Sequence, residues 1–395
     1  MVLILLPMHL SGRKSAAAAL MLGLISLNGC NRWRQQNQAS VAPPTPAPAT
    51  IPASMPAVVP VNSYADVVSR VAPAVVTVRS ARRVRPAQQH PFFDDPRFRE
   101  FFGMRPRVPQ NEAPRTQGLG SGVIVSADGY VLTNHHVIDG AEEVTVELSD
   151  HRSFSAKLVG SDPPSDLAVL KIDERNLPVL SIGDSDRARV GDVVLALGNP
   201  LGLEQTVTAG IISAKGRSTG LSDGSFEDFL QTDAPINQGN SGGALVNTAG
   251  ELVGINSQIL SPTGGNIGIG FAIPSNMAKN VMNQLIQSGT VRRGSLGVTI
   301  QPLTRETIEQ AGLPNAQGAL INSVVSGSPA DRAGLRAGDV ITAVNGTPIG
   351  DPNSLRNAIA STAPGTEVTL TVWRDRRQEQ VRATLRELRI SAQRE

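Results

Sequence analysis

Apolar residues come in short runs broken by glycine, proline and polar turns. Val75-Val76-Thr77-Val78 is one run, and Val193-Val194-Leu195-Ala196-Leu197 is another, of the fully buried kind. Positions 122–126 and 128–132 read as two strands around a tight Asp128-Gly129 turn. Residues 144–148 and 167–172 alternate, the period of a strand with one buried face. Many short strands at regular spacing predict β-barrels rather than βαβ units. Two stretches depart from this pattern. Residues 275–288 read as a helix with a start signal in Pro274-Ser275, and 354–360 read as a second. Between them, Asn345-Gly346 is a strong hairpin signal.

A chain of 395 residues exceeds one typical domain and predicts two folded domains plus extensions. With 40% hydrophobic but only 3% aromatic residues, the cores must be mainly aliphatic. The 38 glycines and 28 prolines fit a turn-rich, mainly β fold. Residues 63–287 are expected to form the first folded domain and 291–388 the second, with a hinge at Ser288-Gly289.

The segment before residue 63 has a different character. Arg13-Lys14 precede an apolar run at 16–27 that ends in Leu27-Asn28-Gly29-Cys30. Charge, short apolar stretch and small residue form an export signal over residues 1–30. The run is too short for a comfortable membrane span. Cysteine at the cut resembles a bacterial lipoprotein signal, in which Cys30 becomes the acylated N-terminus; a plain cleaved signal or a short anchor is the other reading. Initiation at Met8 would give a more ordinary signal. Residues 31–62, Pro/Ala-rich from 42 to 60, read as an extended tether.

Charge excludes some classes. The net charge is +2 despite 36 basic residues, and no basic stripe carries interleaved aromatics, so no nucleic-acid partner is expected. The basic stretch 374–386 is interrupted by glutamate and reads as a solvated strand face. Cys30 is the single cysteine, so an intrachain disulfide and a Cys/His metal cluster are both ruled out. No cofactor or metal is expected. The absence of a P-loop pattern predicts chemistry independent of ATP.

The candidate chemistry centres on Asn-Gln-Gly-Asn-Ser-Gly-Gly at 237–243. Glycines let backbone N–H groups converge beside the Ser241 hydroxyl, which is what acyl transfer needs of a nucleophile and its oxyanion hole. Such a turn alone is equally compatible with an ordinary loop. A base is most often histidine. Of five histidines, His9 lies in the signal, His90 in a Pro/Arg-rich stretch and His151 after an acidic turn. His135-His136 follow a strand directly. Asp166 heads an apolar strand, where a carboxylate can be buried and can orient the base. The chain order His, Asp, Ser is that of the chymotrypsin clan.

These pieces carry a resemblance. Gly120-Ser121-Gly122-Val123-Ile124, Thr133-Asn134-His135-His136-Val137, the block 162–170, the block 231–243 and Gly268-Ile269-Gly270-Phe271-Ala272-Ile273-Pro274 together resemble the HtrA (Deg) family of serine proteases. The resemblance implies a chymotrypsin-like double β-barrel with Ser241 as nucleophile, His136 as general base and acid, and Asp166 as orienting carboxylate. The family places its histidine immediately before valine, which selects His136 and leaves His135 as a surface side chain. The oxyanion hole would come from Gly239, Asn240 and Ser241, its donors being the N–H groups of Gly239 and Ser241. Ile236 and Ile259 would line the specificity pocket, and with no acid there, small aliphatic residues are favoured over Lys or Arg. Asn240 stands where digestive relatives hold an aspartate paired with a new N-terminus, so activation by cleavage gives way to loop ordering. Arg217 matches a regulatory-loop arginine. Residues 90–103 hold five of the nine phenylalanines; the family uses this insertion to cover active sites and touch other subunits, and a locally folded surface loop is the other reading. Family members assemble as trimers or multiples of trimers.

The second domain resembles a PDZ domain through Gly294-Ser295-Leu296-Gly297-Val298, the block 328–341 and Val344-Asn345-Gly346. A glycine-rich turn before a strand can hold a C-terminal carboxylate while the peptide adds a strand to the sheet edge. Ser295, Leu296, Gly297 and Val298 are the candidate contacts. One such block occurs, as in single-PDZ relatives. The implied protein is a periplasmic, cell-envelope endopeptidase that removes unfolded or mislocalised proteins after small aliphatic residues, gated by C-terminal peptides and tethered to the membrane through Cys30. Two alternatives stand beside it: a dedicated stress-signalling protease cutting one membrane regulator, and a peptide-binding chaperone.

Overall fold

The computed structural model describes residues 63–83, 115–199, 205–220, 226–237, 239–259 and 267–388. The expected signal, the tether, Cys30 and the aromatic stretch 90–103 lie outside the described residues.

The short apolar runs close into two barrels. The first holds β1 (Val75–Arg83), β2 (Arg115–Ile124), β3 (Tyr130–Thr133), β4 (Glu143–Glu147), β5 (Ser153–Asp162) and β6 (Leu167–Ile172), in the order β1-β2-β3-β6-β5-β4. The second holds β7 (Val193–Gly198), β8 (Thr206–Arg217), β9 (Phe229–Thr232), β10 (Ala244–Asn247), β11 (Leu252–Ile259) and β12 (Gly270–Pro274). Its order, β7-β8-β9-β12-β11-β10, repeats the first. This is the chymotrypsin-like double barrel.

Three aliphatic clusters fill it. Val76, Ile124, Val131, Val146 and Leu170 pack inside the first barrel, and Val194, Ile212, Leu230, Leu245 and Ala272 inside the second. A third cluster lies between them and joins Leu167 and Val169 of β6 to Leu195, Leu197 and Ile255 of the second barrel. The alternating, one-face-buried reading of 167–172 therefore needs correction. Leu167 and Val169 face the other barrel while Ala168, Leu170 and Ile172 face inward, so both faces of β6 are covered. A strand at a barrel–barrel seam reads as a continuous apolar run for this reason.

The helix Ser275–Ser288 buries Ala278, Val281, Met282 and Leu285 against the inter-barrel cluster and ends at Gly289, whose φ of 71° is the left-handed conformation of a helix C-cap. Two long-range hydrogen bonds hold its N-terminus, the second of them satisfying a free N–H of the first turn. The Ser275 hydroxyl donates to Gly183 O at 2.8 Å, and Asn276 N–H donates to Ser185 Oγ at 3.1 Å.

The second domain begins with β13 (Gly294–Ser295), followed by β14 (Val298–Gln301), β15 (Ala319–Val324), β16 (Val340–Val344), β17 (Thr347–Pro348), β18 (Glu367–Arg374), β19 (Arg377–Thr384) and β20 (Arg386–Glu387). The main sheet runs β14-β15-β16-β18-β19, with β17 on β16 and β13 on β20. Asn345 and Gly346 both take positive φ, 49° and 80°, as the β16–β17 hairpin demands. The helix Pro352–Ser361 opens with a capping box between Asp351 and Ser354. Leu355 and Ile359 on this helix pack onto Ile321, Ile341 and Leu370 of the sheet. The solvated reading of 374–386 holds for Arg377 to Gln380 but not for Arg374, which is paired with the buried Asp339.

Candidate active site

The candidate base follows β3. A short helix, His135–Ile138, starts where Asn134 leaves the strand in an extended conformation. Its position is fixed by a second segment, the 3-10 turn Pro163–Ser165, after which Asp166 adopts φ 54°, ψ 40°. Aspartate tolerates this left-handed conformation better than most residues. The turn brings Asp166 under the helix. Asp166 O accepts from His135 N at 3.1 Å and from Asn134 Nδ2 at 2.9 Å. Asp166 Oδ1 accepts from His136 N at 3.0 Å, and His136 Nδ1 lies 2.9 Å from Oδ1 and 2.8 Å from Oδ2. The ring and backbone of His136 are thus gripped by one carboxylate.

Burial would raise the Asp166 pKa, but the opposing charge and hydrogen bonds of His136, with a hydrogen bond from Ser257, outweigh it and hold the carboxyl below its ordinary value. His135 is half-buried rather than a surface group. Its Nε2 sits 3.6 Å from Asp139 Oδ1, its Nδ1 is buried without a hydrogen-bond partner, and burial pushes its pKa down.

Ser241 sits in a loop of unusually close backbone approaches. Gly239 and Gly242 have φ of 93° and 82°. A Cβ on Gly242 would stand 2.1 Å from Ser121 O and one on Gly243 2.2 Å from Leu197 O, so only glycine fits at either place. Asn240 N–H donates to Asn237 O at 3.0 Å and is therefore committed within the loop. The Asn240 side chain is buried beside Gly198, with its Oδ1 unpartnered. The Ser241 hydroxyl donates to Ser257 O at 3.0 Å.

Ser257 joins the two ends of the site, since its own hydroxyl donates to Asp166 Oδ2 at 3.0 Å. The sequence analysis did not single it out. The signal was present in β11, whose apolar pattern is interrupted by the polar run Asn256-Ser257-Gln258, of which Asn256 and Ser257 are fully buried.

Ile236 and Ile259 share the apolar cluster of the second barrel, with Ala234 beside them. A Cβ on Gly270 would meet Ile236 Cγ1 at 2.7 Å, so that glycine leaves room for the isoleucine.

Arg217 ends β8, exposed, with its Nε donating to Gln231 Oε1 at 3.2 Å. Beyond it, residues 218–220 close around Glu227, a second residue that sequence reasoning missed. The buried Glu227 carboxylate accepts from Ser218 Oγ, Thr219 N, Thr219 Oγ1 and Gly220 N. Gln258 Nε2 donates to Thr219 Oγ1 at 3.2 Å, which connects this turn to β11. From the other side, Asn353 and Asn357 on the helix Pro352–Ser361 donate their amides to Glu227 O at 2.7 and 2.6 Å. The second domain is thereby fastened to the turn that follows Arg217.

In the candidate peptide groove, Ser295 pairs with Arg386, Leu296 is buried in the domain core, and Gly297 has φ 81°. Leu296 O and Gly297 O accept from Ala330 N and Val325 N, each at 2.9 Å. Val298 begins β14, an edge of the sheet.

Comparison with known proteins agrees with this arrangement. The profile of the trypsin-like peptidase domain matches residues 120–255, and that of the PDZ domain matches residues 294–385. A Haemophilus influenzae protein described as a probable periplasmic serine protease do/HhoA-like is 48% identical over 336 residues, 82% of this chain and 71% of its own. The Escherichia coli periplasmic pH-dependent serine endoprotease DegQ is 46% identical over 341 residues, 86% of this chain and 73% of its own. Among solved structures, the HtrA-type protease AlgW with decapeptide is 46% identical, with a TM-score of 0.63 over 83% of this chain and 99% of that one.

Proposed function

The chain belongs to the HtrA (Deg) family of serine proteases, and on that premise we propose that Ser241, His136 and Asp166 are its catalytic triad. The observation that carries this reading is the bridge made by Ser257, which binds Asp166 Oδ2 with its hydroxyl and Ser241 Oγ with its carbonyl. Three side chains drawn from three separate segments are held in one cluster. Asp166 occupies Nδ1 of His136 and so fixes the tautomer with Nε2 available as base. The Ser241 hydroxyl exchanges its bond to Ser257 O for one to His136, gives up its proton there and attacks the peptide carbonyl. The electron pair of the C=O bond moves to oxygen, which the N–H groups of Gly239 and Ser241 stabilise. As the oxyanion collapses the C–N bond breaks and His136 gives the proton to the leaving amine. A water deprotonated by His136 then attacks the acyl-enzyme, releasing the new carboxyl end and returning the proton to Ser241.

The apolar surroundings of Ile236 and Ile259 support cleavage after small aliphatic residues. Removal of unfolded or mislocalised proteins outside the cytoplasm, without ATP, is the role assigned. The relatives' description as periplasmic supports that location, and the sequence around Cys30 supports export and a membrane tether. Assembly as a trimer is assigned on the family resemblance. The PDZ domain gates the site: a C-terminal peptide adds to β14, and the Asn353–Glu227–Thr219–Gln258 contacts lead from that domain to the strand bearing Ser257.

Ser241→Ala should abolish cleavage of unfolded casein with the circular-dichroism spectrum and Tm unchanged; retained cleavage overturns the triad. In cells carrying the same variant, many intact proteins should accumulate. A single accumulated membrane regulator would instead establish the signalling reading.

A further inference from the structure

We propose that Ser121 is a positioning residue for the oxyanion hole, a role that rests on Ser241 being the nucleophile. Ser121 lies in β2, in the first barrel, and is fully buried. The groups its hydroxyl and N–H hold belong to the second barrel. Its hydroxyl donates to Gly239 O at 2.6 Å and accepts from Asn199 N–H at 2.8 Å. Its backbone N–H donates to Ser241 O at 2.8 Å. Its own carbonyl accepts from Thr133 Oγ1 at 2.7 Å, which ties it to β3.

The peptide planes show what this accomplishes. A peptide unit is rigid, so fixing its C=O fixes the N–H on its opposite side. The Gly239–Asn240 unit is held at both ends, by Ser121 Oγ on the carbonyl and by Asn237 O on the N–H. The Ser241–Gly242 unit is held by Ser121 N on the carbonyl and by Asn256 O on the N–H. Between them, the Asn240–Ser241 unit has its carbonyl on Gly243 N. With both flanking units clamped, the N–H of Ser241 has one direction. Ser121 supplies a clamp to each flanking unit, so this one residue sets the direction of the Ser241 donor of the oxyanion hole.

A serine is needed because the position is fully buried and both capacities of the hydroxyl are used, one to donate and one to accept. Alanine would strand a carbonyl on the oxyanion loop and an N–H on Asn199 together. The Asn199 contact also holds the start of the segment after β7 against the oxyanion loop.

The test separates positioning from mere stability. Removing one oxyanion donor costs about a hundredfold to a thousandfold in kcat. Misaiming the Ser241 donor should cost a part of that, roughly tenfold to a hundredfold, with KM little changed. Ser121→Ala is therefore compared with wild type and with Ser275→Ala, which removes another fully buried hydroxyl from a backbone carbonyl at Gly183, on the helix that backs the barrels. Each is assayed for kcat and KM on a peptide substrate, for Tm, and for affinity toward a peptide boronic acid, whose tetrahedral adduct puts an oxygen in the hole. Expected is a fall of about tenfold or more in kcat and in boronate affinity for Ser121→Ala alone, with KM held. Equal losses in the two variants, or wild-type values for Ser121→Ala, overturn the proposal. Ser121→Cys, which keeps the shape but donates weakly, carries the same comparison if the alanine variant does not fold. Labelling of wild type by a fluorophosphonate is mapped in parallel: a label on a residue other than Ser241 overturns the triad assignment, whereas a label on Ser241 with an unaffected Ser121→Ala overturns this proposal alone.

Discussion

Arg293 and Asp162 form a buried, two-point ion pair between the interdomain linker and the loop that leads to Asp166. Arg293 Nη1 donates to Asp162 Oδ1 at 2.8 Å and Nη2 to Oδ2, and both side chains are 6% exposed. The guanidinium lies 4.4 Å from the centre of the Phe226 ring, and the Ser165 hydroxyl also donates to Asp162. Breaking such a pair leaves an uncompensated buried charge, at a cost of about 3–5 kcal/mol. Arg293→Ala should lower stability by that order in denaturant unfolding. It should also lower kcat, because Asp162 anchors the turn Pro163–Ser165 on which Asp166 depends. A variant with wild-type stability would show that the pair is not the anchor.

The architecture was legible in the sequence because it is local. The helix 275–288 begins and ends as its Pro, Ser and Gly signals indicate, and Asn345-Gly346 marks the β16–β17 hairpin. The candidate site was legible where motifs recur, at His136, Asp166 and Ser241. Ser257, Ser121 and Glu227 were not, because their roles come from partners far along the chain: Ser257 meets Asp166 across 91 positions, and Asn357 reaches Glu227 across 130. No periodicity encodes a contact of that range. The same cause misled the reading of β6, whose second buried face is made by a barrel that follows it.

Asp228 predicts a pH dependence. Burial, then the negative charges of Asp186 and Asp351, push its pKa up from 3.8 to about 6, with Lys215 acting the other way. A raised folded-state pKa means that the native state holds the proton more tightly than the unfolded chain. Stability should therefore fall as pH rises from about 4 to about 6 and stay lower above it, by at most about 3 kcal/mol for a shift of this size. Asp228→Asn should raise stability at pH 7 to 8 and flatten that decline. Parallel unfolding curves for wild type and variant across this range would refute it. Asp351 caps the PDZ helix, so ionisation of Asp228 should also loosen the contact between the domains.

Ser257→Ala removes the hydroxyl that supports Asp166 but leaves the carbonyl facing Ser241. One hydrogen bond to a charged acceptor contributes roughly 1.5–3 kcal/mol. The lost bond should let the Asp166 pKa rise and weaken its hold on His136. The expected result is a fall of about tenfold in kcat/KM, with the acid limb of the pH–rate profile displaced. An unchanged profile would assign Ser257 a role through its backbone only.

The contacts of Asn353 and Asn357 with Glu227 O make a specific prediction about gating. Both amides converge on one carbonyl, while their Oδ1 atoms are buried without a partner. That arrangement commits the helix Pro352–Ser361 to a single backbone point at the edge of the turn after Arg217. The Glu227 side chain organises that turn, and Thr219 passes it on to Gln258 beside Ser257. The double variant Asn353→Ala, Asn357→Ala should leave the PDZ groove at β14 intact, so the Kd for a C-terminal peptide is retained. Coupling between sites is typically a fivefold to 150-fold effect. Stimulation of casein cleavage by that peptide should drop from this range to less than about twofold in the double variant. If the peptide still stimulates fully, the signal leaves the PDZ domain by another route, and the Arg293–Asp162 pair becomes the contact to cut next.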